Sequence, residues 1–238
     1  MFDFTNQIVV VTGASGNLGS AVARRFLAAG ARLALVDHDD EGLRAAFADL
    51  AAAPEHLLLG GVDLTDEAAT RQMVSRVIEQ FSRIDVLANT VGGFRAGDPL
   101  HETPLETFDF MLALNARTAF ILGRAVVPVM LRQGSGKIIH TAAPAGQQGR
   151  KNSAAYSASK AAVIRLTESM AAELKASGIN VNCILPGTID TPQNREAMPN
   201  ADFSKWVAPE DLADVFLFLA SDAARAVHGA AVPVLGLT

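Results

Sequence analysis

Seven short and nearly unbroken apolar runs punctuate the chain, at residues 8–11, 32–36, 57–62, 84–88, 137–141, 179–185 and 231–235, each bounded by glycine or polar residues. Runs of that length without polar alternation fit strands buried on both faces, as in parallel sheets. Between them lie alanine-rich segments of helical length, at 18–29, 41–52, 67–81, 106–131, 153–176 and 209–220. Strand and helix alternate throughout, which predicts an α/β fold: a doubly wound parallel sheet of about seven strands, with helices on both faces and right-handed crossovers. No linker, repeat or low-complexity tract divides residues 1–238, so a single domain is expected. The least regular stretch, 187–207, holds two prolines and follows a strand's carboxyl end, where open α/β sheets bind ligands. It reads as a substrate lid over about 188–208.

Composition narrows the function classes. Half of the 238 residues are hydrophobic, which suits one sizeable core. A net charge of −5 without a dense Lys/Arg run argues against nucleic acid or an anionic membrane as partner. The single Cys183 excludes an internal disulfide framework, and the start Met-Phe-Asp-Phe-Thr-Asn is unlike a secretory leader, so a cytoplasmic location is expected. No uninterrupted apolar stretch approaches the roughly 20 residues that span a bilayer. His38, His56, His101, His140 and His228 are scattered without ligand spacing, so no metal site is expected and they read as surface or strand-end residues.

The first strand runs into Thr-Gly-Ala-Ser-Gly-Asn-Leu-Gly, with a helix starting near Asn17 or Leu18. In a dinucleotide site Gly13 would make the tight turn, Gly16 would admit the pyrophosphate, and Gly19 would let helix pack on strand. Ser15, Asn17 and Leu18 complete the loop, and the helix N-terminus would face the phosphates. The second strand ends at Asp37, 21 residues after Gly16, where a carboxylate accepts from ribose hydroxyls and repels a 2′-phosphate. No fixed positive charge at Asn17 or His38 favours NADP, so NAD(H) is the expected cofactor. Asp63 and Leu64 end the third strand and are candidates for the adenine side. Thr65 and Asp66 read as caps of the next helix.

Tyr156, the only tyrosine, stands four residues before Lys160, which puts phenol and ammonium on one helix face. A nearby lysine favours phenolate and would lower the phenol's pKa. Taken alone, the pair also reads as a half-buried tyrosine beside a snorkelling lysine.

The glycine loop, Asp37, Asp63, Asn89, Asn115, Tyr156, Lys160 and Pro186-Gly187 stand in an order that resembles the short-chain dehydrogenase/reductase family over nearly the whole chain. The resemblance implies a Rossmann-type, NAD-binding oxidoreductase acting on a small molecule. It implies that Tyr156 is the general acid or base and that Lys160 lowers its pKa and binds the nicotinamide ribose. Asn115 would hold a water in a proton relay, and Asn89 would lie beside the cofactor. The backbone of Ile189 and the side chain of Thr191 would orient the carboxamide. The equivalents of helices 106–131 and 153–176 pair between subunits in that family, implying a homodimer or homotetramer.

Four departures stand out. Members usually carry serine thirteen residues before the tyrosine, where this chain has Ala143, with Ala142 beside it. Thr141 lies within a strand and Ser153 reads as an N-cap, so neither replaces the missing hydroxyl. The glycine spacing follows the family's extended and atypical members, Asn89-Thr90-Val91-Gly92 replaces Asn-Asn-Ala-Gly, and Leu235-Gly236-Leu237 replaces Asp-Gly-Gly. Residues 190–206 resemble the quinonoid dihydropteridine reductases, which tolerate the missing serine, although their tryptophan after the fourth strand is absent here. A catalytically silent NAD-binding protein is the reading from another class. Met198, Phe203 and Trp206 are expected to give the lid an apolar wall suited to a small or planar substrate.

Overall fold

The computed structural model describes residues 2–237. Its elements run β1 (Ile8–Thr12), α1 (Asn17–Ala28), β2 (Arg32–Val36), α2 (Asp40–Ala46), β3 (Leu57–Leu59), α3 (Glu67–Phe81), β4 (Val86–Asn89), α4 (Leu105–Met111), α5 (Thr118–Gln133), β5 (Gly136–Thr141), α6 (Ala154–Leu174), β6 (Ile179–Pro186), α7 (Pro192–Ala197), α8 (Pro209–Ala220) and β7 (Ala231–Val234). All seven strands are parallel in one sheet ordered β3-β2-β1-β4-β5-β6-β7.

Both faces of that sheet are covered, which is why the strands read as continuous apolar runs. Side chains alternate across a strand. Val9, Val11, Leu33 and Leu35 pack on one side with Phe26 of α1 and Leu212 and Phe216 of α8. Ile8, Val10, Ala34 and Val36 pack on the other with Met73, Val77 and Phe81 of α3 and Leu122 and Val126 of α5. Pro233, which cannot donate to a ladder, sits in the edge strand β7.

Element boundaries depart furthest from the sequence reading in four places. β3 stops at Leu59 because Gly60 and Gly61 follow, the latter at φ +71°. α2 ends at Ala46, where Phe47 leaves helical conformation and turns carry Phe47 and Leu50 into the core. The fourth strand starts at Val86 rather than 84. The helix expected at 106–131 is broken by a wider π-helical turn, Leu112–Arg117. By length and composition the stretch Leu105–Gln133 is apolar enough to cross a membrane. Leu122, Val126 and Met130 of that stretch are instead fully buried against the sheet.

Candidate functional site

Strand order reverses between β1 and β4, so the loops at their carboxyl ends open a crevice there. In the loop after β1, Gly13 adopts φ +68°, and a Cβ on Gly19 would strike the Gly13 carbonyl oxygen. Glycine at both positions lets α1 start directly beneath the loop. Gly16 is the N-cap, and no side chain caps the helix. The first-turn N–H groups of α1 thus face the crevice, where an anion is favoured. Across it, Asn17 Nδ2 donates to Gln193 Oε1 of α7 at 2.9 Å, joining the loop to the lid.

Asp37, at the end of β2, is 4% exposed. Its carboxylate accepts from the Ser15 N–H at 2.9 Å, the Ser15 hydroxyl at 2.8 Å and the Asp39 N–H at 3.2 Å. Burial opposes ionisation, but these hydrogen bonds and nearby His38 hold the carboxyl below its usual range. A fixed negative charge therefore closes this end of the crevice.

Tyr156 and Lys160 lie one turn apart on α6. Lys160 is buried, and its Nζ donates to the Thr141 carbonyl at 2.9 Å while lying 6.0 Å from the Tyr156 ring centre. Burial pushes the ammonium down to about 8. The phenol moves opposite to the direction expected from a neighbouring lysine: burial pushes Tyr156 up to about 12, against a smaller lowering by Arg150. Lys160 is directed to a strand carbonyl, and desolvation governs the phenol.

Asn115 lies in the π-helical turn, a feature frequent at functional sites. Its Oδ1 accepts from the Gly93 N–H at 3.0 Å, and its Nδ2 donates to the Gly93 carbonyl at 3.2 Å and to Ser159 Oγ at 3.0 Å. One side chain thus clamps the loop after β4 to α6. A Cβ on Gly92 would sit 2.9 Å from Lys160 Nζ and 3.0 Å from Asn115 Oδ1, so the three converge. Asn89 is a junction between strands: its Oδ1 accepts from Thr12 Oγ1 at 2.8 Å and the Val91 N–H at 3.2 Å, leaving Nδ2 to donate to His140 Nδ1 at 3.1 Å. That pattern fixes the neutral tautomer with hydrogen on Nε2, and Nε2 is buried without a partner among the described residues.

Beside the phenol a cavity of about 340 Å³ is lined by Phe94, Ala145, Arg150, Lys151, Ser153 and Tyr156, among others. The Phe94 ring meets Tyr156 edge-on at 4.8 Å. The lid folds back on itself. Thr191 Oγ1 accepts from the Asn194 N–H at 3.2 Å to cap α7, and the Ile189 carbonyl accepts from Asn194 Nδ2 at 2.8 Å. Arg195 forms a two-pronged ion pair with Asp190 at 2.6 and 2.7 Å and stacks over Phe203, which packs on Trp206. The apolar lid wall expected from Met198, Phe203 and Trp206 is absent from this cavity.

A profile for the short chain dehydrogenases matches residues 7–202. This chain belongs to the short-chain dehydrogenase family. The 2-(R)-hydroxypropyl-CoM dehydrogenase of Xanthobacter autotrophicus is 36% identical, the match covering 97% of this chain and 98% of that one. Levodione reductase of Leifsonia aquatica is 34% identical over 98% of this chain and 94% of that one. Among solved structures, levodione reductase superposes with a TM-score of 0.89 over 98% of this chain and 97% of that one, at 34% identity. NAD+-bound xylitol dehydrogenase gives 0.89 at 30% identity, covering 98% and 99%.

In this short-chain dehydrogenase the expected serine position, Ala143, is buried and offers no hydroxyl. Thr141 Oγ1 donates to the Asn89 carbonyl at 2.9 Å, so it is engaged in the sheet. Ser153 occupies the N-cap position of α6, but its hydroxyl makes no capping bond, contrary to the sequence reading. Asp63 is exposed and closes a turn on Thr65 at 2.7–2.8 Å, while Asp66 caps α3 through the Ala69 N–H. Leu64 is buried against the sheet, and Gly187, after Pro186, donates to the Val234 carbonyl at 2.9 Å. His140 is fully buried in β5 rather than at the surface. Sequence reasoning missed Phe94, Ser159 and His140 as neighbours of the phenol and lysine. Ser159 was visible only as a polar residue on the helix face between them.

Proposed function

We propose that the chain is an NAD(H)-dependent oxidoreductase that moves hydride between nicotinamide and a small carbonyl/alcohol or quinonoid substrate, with Tyr156 as proton donor or acceptor. The observation that carries this reading is the phenol's position: Tyr156 lines a cavity on one side and is backed by the buried Lys160–Asn115 cluster on the other. The names of its relatives, a hydroxypropyl-CoM dehydrogenase, a levodione reductase and an NAD+-bound xylitol dehydrogenase, support carbonyl/alcohol chemistry.

The residues present fit a dinucleotide. Gly13, Gly16 and Gly19 leave room for the pyrophosphate beside the uncapped N-terminus of α1, with Ser15, Asn17 and Leu18 forming the rest of the cradle. Asp37 would accept from the adenosine ribose hydroxyls and disfavour a 2′-phosphate, which selects NAD(H) over NADP(H). Asp63 and Leu64 would border the adenine. Asn89, Pro186, Gly187, Ile189 and Thr191 would border the nicotinamide, where the Thr191 hydroxyl still has its hydrogen to donate.

Bound nicotinamide supplies or accepts the hydride. In reduction Tyr156, protonated at neutral pH, gives its proton to the substrate oxygen as that oxygen gains charge. In oxidation the same phenol position receives it. Lys160 holds a positive charge behind the ring, and Asn115 keeps the Gly92–Gly93 loop and Ser159 in place around that charge. Ala143 supplies no donor to the substrate oxygen, and loss of one such donor lowers rate by about 10²- to 10³-fold. Its absence favours an electron-poor carbonyl or a quinonoid ring over a plain ketone, and a quinonoid dihydropteridine reductase-like activity is the second reading.

Exposed Phe108, Phe110 and Phe120 on α4 and α5 support a homodimer or homotetramer built on these helices, and the absence of paired cysteines supports a cytoplasmic location. The test is NADH and NADPH oxidation against a diketone, a quinone, a quinonoid dihydropterin and an unactivated ketone, with Ala143→Ser alongside. NADH-linked turnover of the activated substrates supports the proposal, with plain-ketone activity rising in the serine variant. Nucleotide binding without turnover of any of them supports a silent NAD-binding protein instead.

A further inference from the structure

The cavity beside Tyr156 has a second chemical character. Arg150 and Lys151 both line it, both are exposed, and neither makes an ion pair or hydrogen bond among the described residues. The same cavity receives the N-terminal end of the 21-residue helix α6 through Asn152 and Ser153. No side chain caps that helix and its first turn carries no acidic residue. Ser153 is 8% exposed and its hydroxyl makes no hydrogen bond among the described residues. Ala154 and Ala155 of that first turn line an adjoining depression together with Asp98 and Arg95.

Two unpaired cations and a free hydroxyl therefore converge on a space walled by Phe94, Ala145 and Tyr156. Fixed cations favour an oxyanion, and charge-assisted hydrogen bonds are about twice as strong as neutral ones. We propose that substrates of this site carry an anionic oxygen group, a carboxylate or sulfonate, bound by Arg150, Lys151 and Ser153 while the reacting carbon faces Tyr156. This rests on the reading of Tyr156 as the proton-transfer residue, and it names the substrate class. Arg150 also acts on the phenol itself, lowering its pKa against burial, so the guanidinium is near enough to sense what binds there.

The test uses the full chain with 3-fluorotyrosine incorporated. Because Tyr156 is the only tyrosine, one ¹⁹F resonance reports occupancy of this cavity without any turnover. Benzoate is titrated against benzamide, its neutral counterpart, for the wild type, Arg150→Gln, Lys151→Gln and the double variant. All the changed positions are exposed, so the variants keep the fold. Expected is a saturable shift with benzoate, at least tenfold weaker binding of benzamide, and at least a tenfold loss of benzoate affinity in the double variant. Equal binding of acid and amide, an unchanged double variant, or no response to benzoate would overturn the inference. A charge-selective response in a protein that reduces no carbonyl would sink the oxidoreductase reading and leave the anion site standing. Turnover of carbonyl substrates without charge selectivity would do the reverse.

Discussion

Lys160 Nζ donates at 2.9 Å to the carbonyl of Thr141, on the strand beside its own helix, and stands 6.0 Å from the centre of the Tyr156 ring. The lysine is therefore held as a fixed charge behind the phenol, aimed at the sheet. Burial governs the phenol, with a smaller opposing effect from Arg150.

That relationship sets a spectroscopic expectation. In the folded, cofactor-free chain, tyrosinate absorbance should be absent at pH 10 and emerge only as the pH nears about 12, while the unfolded chain titrates near the ordinary value of 10. Because the folded pKa is raised, the stabilisation is complete below pH 10 and lost as pH rises from there toward about 12. An ultraviolet titration of native and urea-unfolded protein decides it. A native transition below 10 would show that burial does not govern the phenol.

His140 predicts the acid side. Burial, with Lys160 adding to it, pushes this fully buried imidazole down to about 4 from 6.5. Below pH 6.5 the unfolded chain takes up a proton that the folded chain refuses, so stability present above 6.5 is lost progressively toward pH 4. The shift corresponds to roughly 3 kcal/mol. Urea unfolding at pH 7 and pH 5 should show a clear decline in the wild type and a smaller one in His140→Gln. Equal slopes would assign the acid lability elsewhere.

The glycine loop makes a binding prediction. Gly19→Ala drives a methyl group into the Gly13 carbonyl and must displace the loop. NADH affinity, read by fluorescence enhancement, should fall by at least tenfold. Gly149→Ala, where a Cβ meets nothing within 4 Å, should bind NADH like the wild type.

Asp37 makes a selectivity prediction. Asp37→Ser removes the charge that would oppose a 2′-phosphate, and should shift the NADPH to NADH preference by at least tenfold toward NADPH. The ratio of kcat/KM values for the two cofactors measures it. An unchanged ratio would place cofactor selection elsewhere. The substitution also frees Ser15, whose N–H and hydroxyl both donate to this carboxylate.

Much of this was legible in the chain because it depends on local pattern. Ile8–Thr12 is buried at every position, so its continuous apolar sequence sufficed to read it, and Ile179–Pro186 is equally buried although Asn180 and Asn182 interrupt its apolar run. Gly13 and Gly19 announced a tight turn because only glycine fits there. Phe47 and Gly60 shortened their elements through tertiary packing and backbone freedom that apolar count does not carry. The direction of Tyr156's shift was illegible because helical spacing gives a shared face, and desolvation depends on what covers that face. His140 looked like any isolated histidine, since its burial follows from β5 lying between β4 and β6. Arg150 and Lys151 carry no signal in the sequence, because only the fold brings them beside the phenol.

The central claim is that Tyr156 handles the proton of a nicotinamide-linked reaction, and single-turnover NADH oxidation tests it most directly. Wild type and Tyr156→Phe are mixed with NADH and an activated diketone, and the loss of NADH absorbance is followed at fixed saturation. Removing a positioned general acid typically lowers rate by about 10²- to 10⁴-fold. The account predicts a fall in that range with NADH affinity retained. Turnover of the phenylalanine variant at the wild-type rate would contradict it.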